Sequence, residues 1–263
     1  MLAELITYLT TPCPEYVRKM GYLHDAVAIA ARHRRCAAAW AEHIARTRAF
    51  ISKAIKECPG RSKVVVLGSG PLLDLSLDEL SASFKEVILV DIVHLPSVLK
   101  IIRRFRNVRA ISCDITGVAR ILYENCSRGV MELPVPDAIF PEVDEHTDLV
   151  LSLNILSQLP VVPLRYASGI FGRTGAEALS DWETGIIKHH YEKLSSHPRS
   201  VCLISDYEST SGDSKGAFTE AHSTIGPLQI PEPDERWIWD IAPAGEIRRG
   251  CYEKLSVAAF FKP

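Results

Sequence analysis

Short apolar runs alternate with segments of helical periodicity along the chain after residue 60. The runs have the length of strands, and their nearly unbroken hydrophobic character is typical of strands that are buried on both faces of a sheet. They lie at residues 63–67, 86–91, 108–113, 147–153 and 200–205. Between them the pattern predicts a short helix after the first strand and further helices at residues 96–105, 115–125 and 176–194. Strands and helices that alternate in this way predict βαβ units and a three-layer α/β fold with a parallel sheet.

The last part of the chain departs from this alternation. Residues 236–241 and 254–262 are two strand-like runs, and the short segment between them contains Pro243, Gly245 and Gly250 and no helical pattern. Two strands joined by a short loop pair in antiparallel fashion. The sequence therefore predicts an antiparallel pair at the edge of an otherwise parallel sheet.

The N-terminal part is helical instead. Residues 22–57 lack proline and internal glycine, and their apolar side chains fall on one helical face, which predicts a single long helix. Pro59-Gly60 ends it. We therefore predict a helical extension at residues 1–59, serving as a lid or an oligomer contact in a possible homodimer, and a sheet domain at residues 60–263.

Charge and cysteine content limit the classes of partner. Lys and Arg total 30 against 32 Asp and Glu, so the chain has no global preference for nucleic acid or an anionic membrane. Residues 15–57 are nevertheless basic, which fits a solvated helix face or, as the alternative, a surface for an anionic ligand or nucleic acid. The longest uncharged stretch, residues 149–164, contains polar residues and two prolines, so no membrane span is predicted. Seven scattered cysteines without a Cys-x-x-Cys pair predict reduced thiols, no zinc site and a cytoplasmic location.

A glycine turn follows the first predicted strand. Gly68 and Gly70 allow the backbone to turn sharply and to approach a ligand closely. Pro71 and Leu73 occupy positions where a dinucleotide-binding turn needs free amides and a small residue, which disfavours a nicotinamide cofactor. The turn also lacks the Gly-Lys-Ser/Thr ending of a phosphate-binding loop, which disfavours hydrolysis of ATP or GTP.

Polar side chains follow the next strands. Asp91 ends the second strand, where a carboxylate can accept both hydroxyls of an adenosine ribose. Asp114 follows the third strand and Asn154 the fourth. Because the carboxyl ends of parallel strands meet at one edge of the sheet, we expect these residues to surround one cleft.

With these motifs, residues 60–263 resemble the class I, Rossmann-like S-adenosylmethionine-dependent methyltransferases, whose mostly parallel sheet ends in an antiparallel hairpin. The resemblance implies S-adenosyl-L-methionine as cofactor and S-adenosyl-L-homocysteine as product. It implies that the methionine end lies beside Gly68, Ser69, Gly70 and Asn154, the ribose at Asp91, and the adenine at Asp114 with Cys113 or Ile115. Ile92 is a further candidate for cofactor binding. The chain departs from the family at Val66, where an acidic residue is usual, and at Leu72, where a third glycine is usual. Asp74 is a candidate replacement for that acid.

Methyl transfer is an in-line displacement that needs orientation and exclusion of water more than acid–base groups. An oxygen or nitrogen acceptor still benefits from a base, and the candidates are Asp206, Tyr207 and His189. His190 shares the apolar face of its predicted helix, so it is interpreted as a core residue. Two adjacent histidines on a helix cannot share one metal, and no metal site is predicted. Candidate acceptor-binding residues are Gln158, Tyr166 and His222.

The acceptor is the least determined feature. Asn154-Ile155-Leu156-Ser157 replaces the Asn-Pro-Pro-Tyr pattern that is common in methyltransferases of nucleic-acid bases. We therefore favour methyl transfer to an oxygen or nitrogen of a small molecule. Methylation of RNA or protein remains an alternative, as do an inactive binding module and, less favoured, a nicotinamide oxidoreductase.

Overall fold

The computed structural model describes residues 2–171, 176–213, 218–247 and 250–263. Within these ranges the chain forms an eight-stranded sheet in the order β3-β2-β1-β4-β5-β8-β7, and β6 pairs with β5 beside this path. The strands are β1 (Lys63–Leu67), β2 (Glu86–Asp91), β3 (Val108–Ser112), β4 (Thr147–Leu153), β5 (Ser200–Asp213), β6 (Phe218–Ser223), β7 (Glu235–Ala242) and β8 (Cys251–Lys262). Strands β3, β2, β1, β4 and β5 are parallel, whereas β8 is antiparallel to both β5 and β7.

Helices cover both faces of this sheet. They are α1 (Leu2–Thr10), α2 (Glu15–Met20), α3 (Tyr22–Glu57), α4 (Leu77–Ser83), α5 (Pro96–Ile102), α6 (Ala119–Ser127), α7 (Val161–Phe171) and α8 (Ala176–Ser195). Successive side chains of a strand point to opposite faces, so Val64 and Val66 pack into the core that α3, α4 and α5 cover, while Val65 and Leu67 pack on the side of α6, α7 and α8. The predicted three-layer α/β architecture is confirmed.

The observed boundaries agree closely with the periodicity where a strand lies in the middle of the sheet. β1, β2 and β4 have the predicted limits. β5 is longer than predicted because beyond Ser205 it continues in antiparallel register with β8 and also pairs with β6, a strand that the sequence did not reveal. The antiparallel pair of β7 and β8 is confirmed, with β7 at the edge.

Helix ends were harder to predict than strand limits. Helix α6 begins at Ala119 rather than Ile115. The residues between Asp114 and Ala119 form a loop, which the Asp114 carboxylate closes by accepting the Ala119 N–H at 2.7 Å. Helix α5 ends at Ile102, three residues early. Helices α1, α2 and α7 were not predicted. No helix in the described ranges combines the length and apolar character that a membrane span requires.

Helix α3 of the N-terminal part packs directly on the sheet. Helix α3 lies along β7, and the Trp40 side chain, 2% exposed, donates its indole N–H to the Ile241 carbonyl at 3.1 Å. Trp40 and Phe50 belong to the same buried cluster as the strand residues of that face. Residues of α3 also reach the carboxyl edge of the sheet. The division of the chain into two parts at residue 60 stays a prediction.

Candidate functional site

A cavity of about 540 Å³ lies at the carboxyl ends of β1, β2, β3 and β4, with side chains of α3 along one side. This volume is within the range of sites for small molecules and cofactors. The residues predicted to contact a cofactor all line it, namely Gly68, Ser69, Gly70, Asp91, Ile92, Asp114, Ile115 and Asn154. The topology thus brings together side chains from four strand ends, as expected for a parallel sheet.

The glycine turn needs its glycines for two different reasons. Gly68 has φ +80°, and a Cβ there would lie 2.8 Å from the Ile155 Cβ, so the position excludes a side chain. Gly70 has φ +48°, and nothing lies within 4 Å of the place that a Cβ would take, so the space beside it is open. The turn is fixed from α3, where the Arg48 guanidinium donates to the Leu73 carbonyl at 2.6 and 3.0 Å.

Asp91 is held by the turn that it faces. Its Oδ2 accepts the Gly70 N–H and its Oδ1 accepts the Ile92 N–H, both at 2.8 Å. Burial raises the pKa of Asp91, and these two N–H groups act in the opposite direction. The Val93 N–H also bonds to this carboxylate, which still keeps acceptor capacity for a ligand.

Asp114 lines the same cavity but has a structural task as well. Its Oδ1 accepts the N–H and the hydroxyl of Thr116, at 3.0 and 2.5 Å, and its Oδ2 accepts the Ala119 N–H. The bond from Ala119 satisfies one N–H group at the start of α6, and the two from Thr116 fix the loop before it. A ligand at this end of the cavity would therefore meet a carboxylate that is already extensively hydrogen-bonded.

Asn154 and Asp74 form a polar cluster at the other end. Asn154 adopts φ +50°, which asparagine tolerates better than most residues, and its Nδ2 donates to Asp74 Oδ2 at 3.1 Å. The same Nδ2 lies 3.2 Å from His43 Nε2. The buried Asn154 Oδ1 has no hydrogen-bond partner among the described residues. Burial raises the pKa of Asp74 to about 6.

Some of the predicted site residues lie elsewhere. Gln158 lines the cavity, but Asp206, Tyr207, His189, Tyr166 and His222 do not. Asp206 is 1% exposed, and its carboxylate accepts the Ser157 hydroxyl at 2.7 Å. The fifth strand continues past Asp206 and Tyr207 into antiparallel pairing, so these residues do not mark a strand end as the sequence suggested.

The other three residues lie away from the cavity for different reasons. His189 is exposed because α8 turns His190, rather than His189, into the core. Tyr166 packs near Tyr123, with ring centroids 6.2 Å apart. His222 is exposed on β6. The described ranges contain no group of three His, Cys, Asp or Glu side chains arranged to hold a metal ion.

The residues that α3 and β7 bring to the cavity were not predicted from the sequence. Trp40, Trp239 and Ile241 line it, and His43 lies behind Asp74. A weak signal existed for His43, which is three residues after Trp40 and so shares the apolar face of the helix. No local pattern indicated that this face would meet the cavity, since β7 is about 200 residues away along the chain.

Comparisons with known proteins give similarity at the level of structure. No family model and no curated protein matches the chain. A solved DhpI-SAM-HEP complex has 11% identity and a TM-score of 0.36, with 93% of this chain and 99% of that one covered. A Burkholderia thailandensis 1,6-didemethyltoxoflavin-N1-methyltransferase with bound 1,6-didemethyltoxoflavin and S-adenosylhomocysteine has 13% identity, a TM-score of 0.34, and coverage of 90% and 89%.

A third structure is matched over less of its length. It is a complex that contains the Haloferax volcanii Trm112 methyltransferase activator, at 12% identity and a TM-score of 0.34, and this chain spans 60% of the matched chain while 73% of this chain is covered. The strand order is independent of these scores: five parallel strands are followed by an antiparallel hairpin that inserts β8 beside β5. This mostly parallel sheet with its antiparallel C-terminal hairpin is the Rossmann-like topology that the resemblance to class I S-adenosylmethionine-dependent methyltransferases implied.

Proposed function

We propose that the cavity binds S-adenosyl-L-methionine and that the protein transfers its methyl group to an oxygen or nitrogen of a small molecule. The observation that carries this proposal is the hydrogen bond between the glycine turn and the strand-end carboxylate, Gly70 N–H to Asp91 Oδ2, at the carboxyl edge of a parallel sheet. This bond fixes a carboxylate beside an open backbone turn, which suits a ribose with two vicinal hydroxyls.

The polar atoms at the other end of the cavity fit the methionine part of this cofactor. Its ammonium group is a donor, and the buried Asn154 Oδ1 is an acceptor with no partner among the described residues. Its carboxylate is an acceptor, and the buried Ser69 hydroxyl also lacks a partner there. Buried polar groups are normally hydrogen-bonded, so two unpaired atoms on residues that line one cavity favour a polar ligand. The space beside Gly70 leaves room for close approach.

The chain contributes position and exclusion of water to the chemistry. When bound, the cofactor supplies a methyl group on a sulfonium, which is already an activated electrophile. Asp91, Ser69 and Asn154 would hold its two ends, and apolar residues of α3, among them Ala26 and Ile29, close one side of the cavity. Correct orientation of donor and acceptor in a water-poor site supplies much of the rate acceleration in such displacements.

The arginines of α3 favour a small acceptor over a nucleic acid. Arg34 pairs with Glu4 at 3.1 Å, Arg35 with Glu246 at 2.6 Å, and Arg46 with Glu42 at 3.0 Å. A surface that binds phosphates needs cations that are available to them. Two carboxylates from outside residues 15–57, Glu4 and Glu246, thus pair with part of the local excess of basic residues.

The proposal is tested by calorimetric titration of wild-type protein with S-adenosyl-L-homocysteine and, separately, with NADH. We expect the homocysteine derivative to bind and Asp91→Asn to raise its Kd about tenfold or more, the scale of a lost charge-assisted hydrogen bond. Asp78→Asn, an exposed carboxylate on α4, is the matched control and should leave the Kd unchanged. Binding of NADH alone would refute the proposed function.

A further inference from the structure

One part of the cavity is not used by the proposed cofactor contacts. It lies where α3 faces β7, and the side chains that line it there are Ile29, Arg32, Trp40, Asp74, Trp239 and Ile241. Two indoles and two isoleucines make this compartment apolar and flat-sided, whereas Asp74 and Arg32 make it locally polar. A compartment of this kind has to accommodate the methyl acceptor, since the transfer requires both molecules in one cavity.

The indoles of this region differ in one respect. Trp40 donates its N–H to the Ile241 carbonyl, and Trp237 donates its N–H to His43 Nδ1 at 3.0 Å. Trp239 is 8% exposed and its Nε1 has no hydrogen-bond partner among the described residues. Its ring is fixed by stacking on His43, with centroids 3.9 Å apart, and by edge contact with Trp40 at 5.0 Å. Trp239 lines the cavity, and its rigidly held ring carries a buried donor that is unpaired among the described residues.

Asp74 is the carboxyl of the cavity that is least committed to the protein itself. The indole N–H of Trp237 can only donate, so His43 Nδ1 is the acceptor of that bond. The His43 Nε2 lies 3.6 Å from Asp74 Oδ1, beyond hydrogen-bond distance, while Asn154 Nδ2 donates to Asp74 Oδ2. The hydrogen-bond partner of Asp74 is thus one side chain, whereas Asp91 and Asp114 accept backbone N–H groups. The Asp74 carboxylate therefore keeps acceptor capacity.

We propose that this compartment binds a planar aromatic methyl acceptor with a ring hydroxyl or ring N–H, that Trp239 donates a hydrogen bond to it, and that Asp74 accepts its proton. The inference rests on the proposed function and deepens it. A bond forms between the acceptor oxygen or nitrogen and the methyl carbon. The carbon–sulfur bond breaks with its electron pair retained by sulfur, and the acceptor proton passes to the Asp74 carboxylate and from there to solvent.

The charges around Asp74 support this assignment. His43 is neutral because burial lowers its pKa to about 3, so it does not compete for the Asp74 carboxylate as a cation. Arg48 is a more distant cation that favours the charged form, and Asn154 does so by hydrogen bonding, while burial raises the pKa of Asp74 to about 6. A base with a pKa close to neutrality is charged at physiological pH and still holds a proton well.

The test uses 6-hydroxyquinoline and its methyl ether, 6-methoxyquinoline, as probes, with cyclohexanol as the aliphatic control. Each is titrated calorimetrically at pH 8 into protein saturated with S-adenosyl-L-homocysteine. We expect the hydroxyl probe to bind about tenfold more tightly than cyclohexanol and about fivefold more tightly than the methyl ether. Asp74→Asn should abolish the preference for the hydroxyl over the ether, and Asp78→Asn should retain it.

A second pair of variants tests the indole separately. Trp239→Phe keeps a ring but removes the donor, and should weaken binding of 6-hydroxyquinoline about threefold to tenfold. Trp182→Phe is the matched control, because Trp182 is equally buried but donates to the Pro134 carbonyl outside the cavity. Binding of the aliphatic and aromatic probes with equal affinity, no binding of the aromatic probes, or unchanged behaviour of both cavity variants overturns the inference. Failure of S-adenosyl-L-homocysteine to bind the wild type would instead contradict the proposed function.

Discussion

Two buried histidines on opposite faces of the sheet have similar environments and different neighbours. His43 on α3 and His190 on α8 are each 1% exposed, and burial lowers the pKa of both to about 3. His190 Nε2 lies 3.0 Å from the Ser152 hydroxyl, and its ring packs against Phe140. His43 contacts Trp237, Asp74 and Asn154, of which the last two line the cavity.

The difference shows that burial and a shifted pKa do not by themselves indicate function. The hydrogen-bond partner of His190 is Ser152, which lies in the core. A partner of His43 is Asn154, which lines the ligand-sized cavity. Ser152 in β4 contacts His190 of α8, whereas Asn154, which directly follows β4, contacts His43 of α3. These two residues therefore show the same contrast. Variants that compare the two faces therefore separate structural from ligand-binding roles.

The largest expected effect is the loss of each histidine. His190→Ala leaves a cavity and an unpaired Ser152 hydroxyl, and should lower the free energy of unfolding by about 2–4 kcal/mol. His43→Ala should destabilise the fold to a similar degree. In urea unfolding the two should thus look alike, but only His43→Ala should weaken binding of S-adenosyl-L-homocysteine, by about threefold or more. If His190→Ala weakened binding of S-adenosyl-L-homocysteine equally, the two histidines would not differ in their role.

The next effect is a pH dependence that Asp74 should contribute. Because its pKa is about 6 in the fold and 3.8 ordinarily, the folded state holds the proton more tightly than the unfolded state. This contribution stabilises the protein below pH 4 and is lost as the pH rises through 6. Asp74→Asn should therefore gain up to about 3 kcal/mol relative to wild type between pH 4 and pH 7.

Asp206 on β5, outside the cavity, is the comparison for this measurement. Burial raises its pKa as well, so Asp206→Asn should shift unfolding in the same direction with pH. It does not line the cavity, so the probe affinities should stay at wild-type values. Denaturant unfolding across pH, followed by calorimetry of the folded variants, measures both quantities. An Asp74→Asn profile parallel to wild type would show that this carboxyl titrates normally.

A smaller effect is expected at the end of β4. Asn154→Ala places an alanine at φ +50° and should destabilise the protein by about 1 kcal/mol, whereas Asn154→Gly should be nearly neutral in stability. Both should weaken binding of S-adenosyl-L-homocysteine equally, because both lose the amide. Ser152→Ala should lower stability by about 1 kcal/mol without affecting binding. If Asn154→Gly bound normally, the amide would have no role in the site.

The smallest effect concerns two long side chains that fix loops from opposite faces. Arg48 donates to the Leu73 carbonyl in the glycine turn, and Lys193 donates to the Ala138 carbonyl at 2.6 Å. Each substitution by alanine should lower stability by about 0.5–1 kcal/mol. Arg48→Ala alone should weaken S-adenosyl-L-homocysteine about twofold to threefold, which calorimetry resolves. An equal change in Lys193→Ala would mean that the turn is not selectively supported by α3.

Much of the site was predictable because it depends on strand ends. Gly68, Gly70, Asp91, Asp114 and Asn154 follow apolar runs, and parallel strands bring their carboxyl ends together whatever the details of packing. Asp206 and Tyr207 were placed at such an end too. Their strand continues because β8 and β6 supply antiparallel partners, and that pairing depends on segments far along the chain.

The sequence by itself determined seven of the eight strands in the described ranges, the long N-terminal helix apart from its kink at Cys36, the parallel sheet with its terminal hairpin, and the set of polar residues at the sheet edge. These features follow from local periodicity and from rules of chain connection. Only the tertiary structure decided that α3 crosses β7, that Trp239 and His43 stack, and that Asp74 rather than Asp206 faces the cavity. The reason is physical: periodicity fixes which face of an element is apolar, but the element that packs on that face is selected by long-range complementarity.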